Sequence, residues 1–131
     1  MQPFSKKEVF KLKDRLKSFI YAFKGIKFVF LSQHNMWIHI VLSFIAIAMG
    51  FSLNITNLEW IAVIFSIGLV LATEALNTAI EFLVDFVSPN YNEKAGRIKD
   101  IAAGAVLISA ITSASIGAII FIPKILNLLN Y

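Results

Sequence analysis

A chain of 131 residues in which 58% are apolar and only 15% charged, with a mean hydropathy of +0.76, is too apolar for a soluble protein of its size and reads as one small integral-membrane domain. Its net charge of +4 does not point to nucleic acid, because the basic residues sit in blocks: Lys6, Lys7, Lys11, Lys13, Arg15, Lys17, Lys24 and Lys27, then Lys94, Arg97 and Lys99, then Lys124 alone. The absence of cysteine excludes disulfides and thiolate metal sites.

From Ser5 to about Leu31, Val9, Phe10, Leu12, Leu16, Phe19, Ile20, Phe23, Ile26, Val29 and Phe30 recur every three or four positions with lysines between them. This spacing predicts an amphipathic helix over residues 5–31 in the membrane interface, its lysine stems snorkelling to the headgroups. It serves as a plain anchor or as a helix that also closes over a site. The start of the chain lacks the pattern of a signal peptide. Met36 to about Leu53 is a first span. His39, near its start, reads as an interfacial histidine hydrogen-bonded locally rather than as a proton carrier or a ligand. Asn54-Ile-Thr-Asn57 is a polar turn, with Asn57 expected to cap the next helix, Glu59 to favour that helix's dipole and Trp60 to anchor it at the interface.

The run Leu58 to Val87 is about 45 Å long as a helix and exceeds a hydrocarbon layer of about 30 Å, so its far end protrudes. Ser88-Pro89-Asn90 is expected to stop it. A polar connection leads to a third span from about Ile98 to Ile122, ending at Pro123. Here Ala110, Ala114 and Ala118, and beside them Ser109, Ser113 and Gly117, form small-residue rows that allow close helix contact, so a tight or oligomeric bundle is expected. The basic blocks put the N-terminus and the second connection on the cytoplasmic side and the C-terminus outward. Neither internal repeats nor β alternation are present. The fold expected is an all-α membrane protein, a surface helix plus transmembrane helices over 36–53, 58–87 and 98–122.

Within the second span, Glu74, Asn77, Glu81 and Asp85 fall inside an arc of roughly 80° on a helix and share one face. An acid in a bilayer-spanning segment costs about 2.5–3.5 kcal/mol or more, which makes such a residue a candidate functional group. Carboxylates with an amide are hard oxygen ligands suited to Mg²⁺ and its phosphates. Glu74 and Glu81 lie about 10.5 Å apart along the axis and so have separate roles: Glu81, nearer water, suits the ion, and Glu74, deeper, suits proton abstraction. Arg97 and Lys99 supply the positive charge that phosphoryl transfer needs. Gly96 and Gly104 do not form a P-loop, so a soluble-kinase fold is excluded.

The ordered set Glu74-x-x-Asn77-Thr78-Ala79-Ile80-Glu81-x-x-Val84-Asp85, then Gly96-Arg97-x-Lys99-Asp100, with Tyr21-Ala-Phe-Lys-Gly25 and Asn35-x-x-Ile-His39 upstream, resembles the prokaryotic diacylglycerol kinase family, which includes undecaprenol kinases. The resemblance implies a homotrimer with active sites between subunits, in a bacterial inner membrane, transferring the ATP γ-phosphate to a lipid hydroxyl with Mg²⁺. It implies Glu74 as catalytic base, Glu81 as Mg²⁺-ATP ligand and Asn77 as a phosphate-side contact. Lys99, Asp100, Tyr21 and the loop Asn90, Tyr91 and Asn92 would bind ATP, with Asp85 at a further polar position of the motif. Gln33 stands where the family usually has a second metal-binding glutamate, Trp37 where many relatives carry arginine, and Asn90 and Asn92 where some carry acid or histidine. The acceptor implied is diacylglycerol or undecaprenol. Two other readings are a proton-coupled transporter, which needs no cationic cytoplasmic segment, and a structural protein without activity.

Overall fold

The computed structural model describes residues 12–129, and these form four helices and no strand. Helix α1 spans Leu12–Ser32, α2 His34–Ser52, α3 Asn57–Val87 and α4 Glu93–Leu129. The part of the expected surface helix before Leu12 lies outside the described residues. Helices α2, α3 and α4 are long and apolar enough to cross a membrane, and most of their large apolar side chains point outward, as they must where the solvent is lipid.

The turn between α2 and α3 is built tightly. Asn54 takes a left-handed conformation with φ 48°, which asparagine tolerates better than most residues. Thr56, rather than Asn57, caps α3: its hydroxyl accepts from the Glu59 N–H while Glu59 Oε2 accepts from the Thr56 N–H at 2.6 Å. This reciprocal pair satisfies two helix-end donors. Trp60 is half-buried, its ring tilted on Phe51 with centroids 4.8 Å apart, so it packs the turn. A hydrophobic core of Ile55, Val63, Ile120 and Phe121 forms at this end of the bundle.

Gly50 faces the Trp60 ring so closely that a Cβ would lie 2.7 Å from it. Gly50→Ala should therefore destabilise the protein by about 1–3 kcal/mol through overpacking. Gly25→Ala, with nothing within 4 Å of its Cβ, should be neutral or slightly stabilising; thermal unfolding in detergent compares the two.

Helix α4 continues through Pro123 to Leu129 instead of ending there. Past the proline, Lys124 Nζ lies 3.2 Å from Glu59 Oε2, which ties the extension to the start of α3. The main contact in the bundle is between α3 and α4, and polar rungs cross it. Thr73 and Ser109 hydroxyls are 2.7 Å apart, and the Ser113 hydroxyl donates to the Ser66 carbonyl at 3.2 Å. Of the two small-residue rows, the serine row meets α3, whereas Ala114 and Ala118 are exposed.

Candidate active site

The acid stripe lies at the end of the bundle opposite the hydrophobic core. Two helical turns separate Glu74 from Glu81, so both point the same way with Asn77 between them. Burial relaxes along the stripe: Glu74 is 1% exposed and Asn77 8%, Glu81 is half-buried and Asp85 exposed. Asn35, Ile38 and His39 of α2 and Ala103, Val106, Leu107 and Ala110 of α4 close around Glu74, Asn77 and Glu81, leaving a cleft of about 330 Å³.

Inside this cleft Asn77 Nδ2 donates to Glu81 Oε1 at 2.9 Å. That bond orients one carboxylate oxygen. Asn77 Oδ1 is buried and has no partner among the described residues, and an unpaired buried acceptor costs about 1–3 kcal/mol, so a donor or a cation that reached this oxygen from the cleft would satisfy it. Thr78, 1% exposed, donates to the Glu74 carbonyl at 2.9 Å and so spends its hydroxyl within the helix. His39 and Glu81 are ionisable groups that line the same cleft as the Glu74 carboxylate.

Among the described residues no group of three or more His, Cys, Asp or Glu could hold a metal ion alone. Mg²⁺ needs less, since it commonly keeps water and phosphate ligands and takes only one or two carboxylates from the protein. The hard oxygens of Glu81 and Asn77 fit an ion that arrives with a phosphate chain.

The residues singled out from the sequence are distributed unequally. Glu74, Asn77 and Glu81 share the cleft. Asp85, one turn further, pairs with Lys99 at 2.5 Å, which docks the cationic start of α4 onto the end of the stripe. With Asp85 exposed and Lys99 half-buried near the surface, the pair adds little stability, about 1 kcal/mol at most; its consequence is positional. Gly96 to Asp100 are helical rather than part of a loop, Arg97 pairs with Glu93 four residues back at 2.6 Å, and Asp100 is exposed. Asn90 and Tyr91 are exposed in the connection. Asn92 Oδ1 accepts from the Lys94 and Ala95 N–H groups at 2.9 and 3.4 Å and so holds the start of α4.

Tyr21 stands on the exposed face of α1 with Lys24 Nζ 5.8 Å from its ring centroid. Helix α1 reaches α3 through Phe28 against Phe82, centroids 5.2 Å apart, directly beside Glu81. Gln33 caps α2 by position only, its side chain making no capping bond. It does not line the cleft, whose α2 wall carries Asn35 and His39 instead. The sequence reading gave neither of them a place in the site, taking His39 as an interfacial histidine and Asn35 only as part of a motif. Their spacing of four places them on one helix face, and this was the available signal.

Residues 20–121 match the prokaryotic diacylglycerol kinase family. The chain is 36% identical over 109 residues to the undecaprenol kinase of Bacillus subtilis strain 168, covering 83% of this chain and 89% of that protein. It is 39% identical over 118 residues to a diacylglycerol kinase of Synechocystis, covering 87% of this chain and 66% of that protein. It is 31% identical over 98 residues to the diacylglycerol kinase of Escherichia coli K12, covering 75% and 80%.

Proposed function

Because the chain belongs to the prokaryotic diacylglycerol kinase family and is thereby a lipid kinase, we propose that it moves the γ-phosphate of ATP onto the hydroxyl of a membrane lipid, either diacylglycerol, giving phosphatidic acid, or undecaprenol, giving undecaprenyl phosphate. The observation that carries the reading is Glu74, almost completely buried yet lining one cleft with Asn77 and Glu81. A lipid hydroxyl arrives from the apolar side and a nucleotide from the aqueous side, and the stripe runs from one to the other.

In this scheme Glu74 takes the proton of the lipid hydroxyl as its oxygen forms a bond to the γ-phosphorus. The bond from that phosphorus to the β,γ-bridging oxygen breaks, and ADP leaves. Glu81 and the Asn77 amide oxygen would hold Mg²⁺ on the nucleotide, and the ion's chemistry is charge neutralisation on the phosphates. Lys99 and Asp100, with Tyr21 and residues 90–92, are assigned to ATP, and Asp85 to holding Lys99. We assign the protein to the bacterial inner membrane with its N-terminus cytoplasmic, as a homotrimer in which neighbouring subunits complete each site. Purified protein incubated with labelled ATP, Mg²⁺ and, separately, diacylglycerol, undecaprenol and simpler lipid alcohols should label at least one alcohol, and the fastest names the acceptor. Transfer to none would overturn the reading.

Gln33 offers a neutral oxygen where a carboxylate would bind Mg²⁺ more firmly. Gln33→Glu should lower the Mg²⁺ concentration for half-maximal rate by about two- to fivefold, the worth of one partly screened charge. A carboxylate before the first turn of α2 also suits the helix dipole, so folding is not put at risk. An unchanged Mg²⁺ titration would place Gln33 outside the ion's surroundings.

A further inference from the structure

Asp85 stands one helical turn beyond Glu81 on α3, so its carboxylate is displaced about 6 Å along the axis towards water. It accepts a hydrogen bond from the Lys99 ammonium at 2.5 Å. On α4 the cleft is walled by Ala103, Val106, Leu107 and Ala110, and among the described residues neither Asp85 nor Lys99 borders it. Lys99 lies four residues before Ala103 on the same helix face. The ammonium is thus held one turn outside the place where Asn77 meets Glu81. Arg97 differs, because its partner Glu93 belongs to the same helix and moves with it, whereas the partner of Lys99 belongs to the acid stripe.

We propose that Lys99 has two stations, the Asp85 carboxylate and a phosphate chain carried by Glu81, and that Asp85 is a positioning residue, which competes with nucleotide for the ammonium and so sets how tightly nucleotide is held. The inference rests on the lipid-kinase reading above and adds to it what lets the nucleotide product leave. A lysine ammonium is a compact charge on a flexible four-carbon stem, which lets it swing the one turn, about 5.4 Å, from Asp85 to the level of Ala103. The Lys99 and Asp85 side chains are 36% and 63% exposed, and an ion pair with that much access to water is weak. A buried pair would fix Lys99 in place, since breaking one costs several times more; at this exposure the ammonium exchanges readily in both directions. Transfer of the γ-phosphate leaves a nucleotide with one negative charge fewer, and attraction for a cation falls with it. The balance then shifts back to Asp85, so the diphosphate is released where the triphosphate was held.

The test is titration calorimetry of MgADP in detergent, together with the KM values for MgATP and for the lipid alcohol, in wild type, Asp85→Asn, Asp85→Glu, Lys99→Met and the double variant of Asp85→Asn with Lys99→Met. Asp85→Asn should tighten MgADP about three- to fivefold and lower the MgATP KM by as much, the fold-change to which an exposed ion pair of ordinary strength corresponds. The lipid KM should not move. Asp85→Glu, which keeps the charge, should bind MgADP as wild type does. Lys99→Met should weaken MgADP, and in that background most of the effect of Asp85→Asn should vanish, because a competitor needs the lysine it competes for. A merely structural tie between α3 and α4 predicts the reverse, since its loss would lower thermal stability and weaken nucleotide binding. Unchanged or weaker MgADP binding in Asp85→Asn, or equal tightening with and without Lys99, would each overturn the inference while leaving the kinase reading standing. Wild-type protein that phosphorylates no alcohol would bring down both.

Discussion

Glu74→Gln should reduce phosphoryl transfer by about 10²- to 10⁴-fold, the usual contribution of a positioned general base, while helix content and oligomeric state stay as in the wild type. The substitution keeps the shape of a side chain that is 1% exposed and removes only its capacity to take a proton. It also relieves the cost of a carboxylate in a largely apolar surrounding, so the variant should resist heat at least as well as wild type. Rate and stability moving in opposite directions distinguishes a catalytic acid from a structural one: if Glu74 merely held α3 against its neighbours, both would fall together. Turnover at the wild-type rate would remove Glu74 from the mechanism.

A second large effect is expected at Glu81. Its Oε1 is engaged by Asn77 Nδ2 at 2.9 Å, and its half-buried position faces the aqueous end of the cleft. Glu81→Gln removes the charge proposed to hold Mg²⁺ and leaves an amide that faces another amide. The Mg²⁺ concentration for half-maximal rate should rise about ten- to a hundredfold, in the range seen when groups around a metal are altered, with the lipid KM little changed. Titration of Mg²⁺ at fixed ATP measures this. An unaltered midpoint would mean that Glu81 does not bind the ion.

The helices could be read from the chain because apolar runs of bilayer length between polar breaks leave few alternatives, and the shared face of Glu74, Asn77 and Glu81 follows from helix periodicity alone. Local chemistry accounts for one difference. Thr56 with Glu59 three residues later is a capping box that a closer look at the spacing would have found. Tertiary contacts account for the rest. Pro123 removes one intrahelical bond, yet α4 persists beyond it, where Lys124 reaches back to Glu59 and the membrane environment tolerates such interruptions.

His39 illustrates a deeper limit. Periodicity puts it on one face with Asn35, but which face of α2 turns towards α3 depends on how the helices rotate against each other, and no local pattern encodes that rotation. The two small-residue rows of α4 are equally similar in sequence; the serine row acquires hydrogen-bond partners on α3, and Ala110 and Ala114 of the alanine row line an apolar groove between α2 and α4. The acid stripe was legible because burying carboxylates in lipid is costly enough to stand out; the groove was not, because it is made of residues that any membrane helix contains.

Phase partition of γ-labelled ATP by purified wild-type protein, with and without a lipid alcohol and with Mg²⁺ throughout, bears most directly on the claim that Glu74 serves phosphoryl transfer to lipid. Label should enter the organic phase only when the alcohol is present, and Glu74→Gln protein run alongside should leave it in ATP. Label that never leaves the aqueous phase, or that reaches lipid equally well without Glu74, would contradict the account.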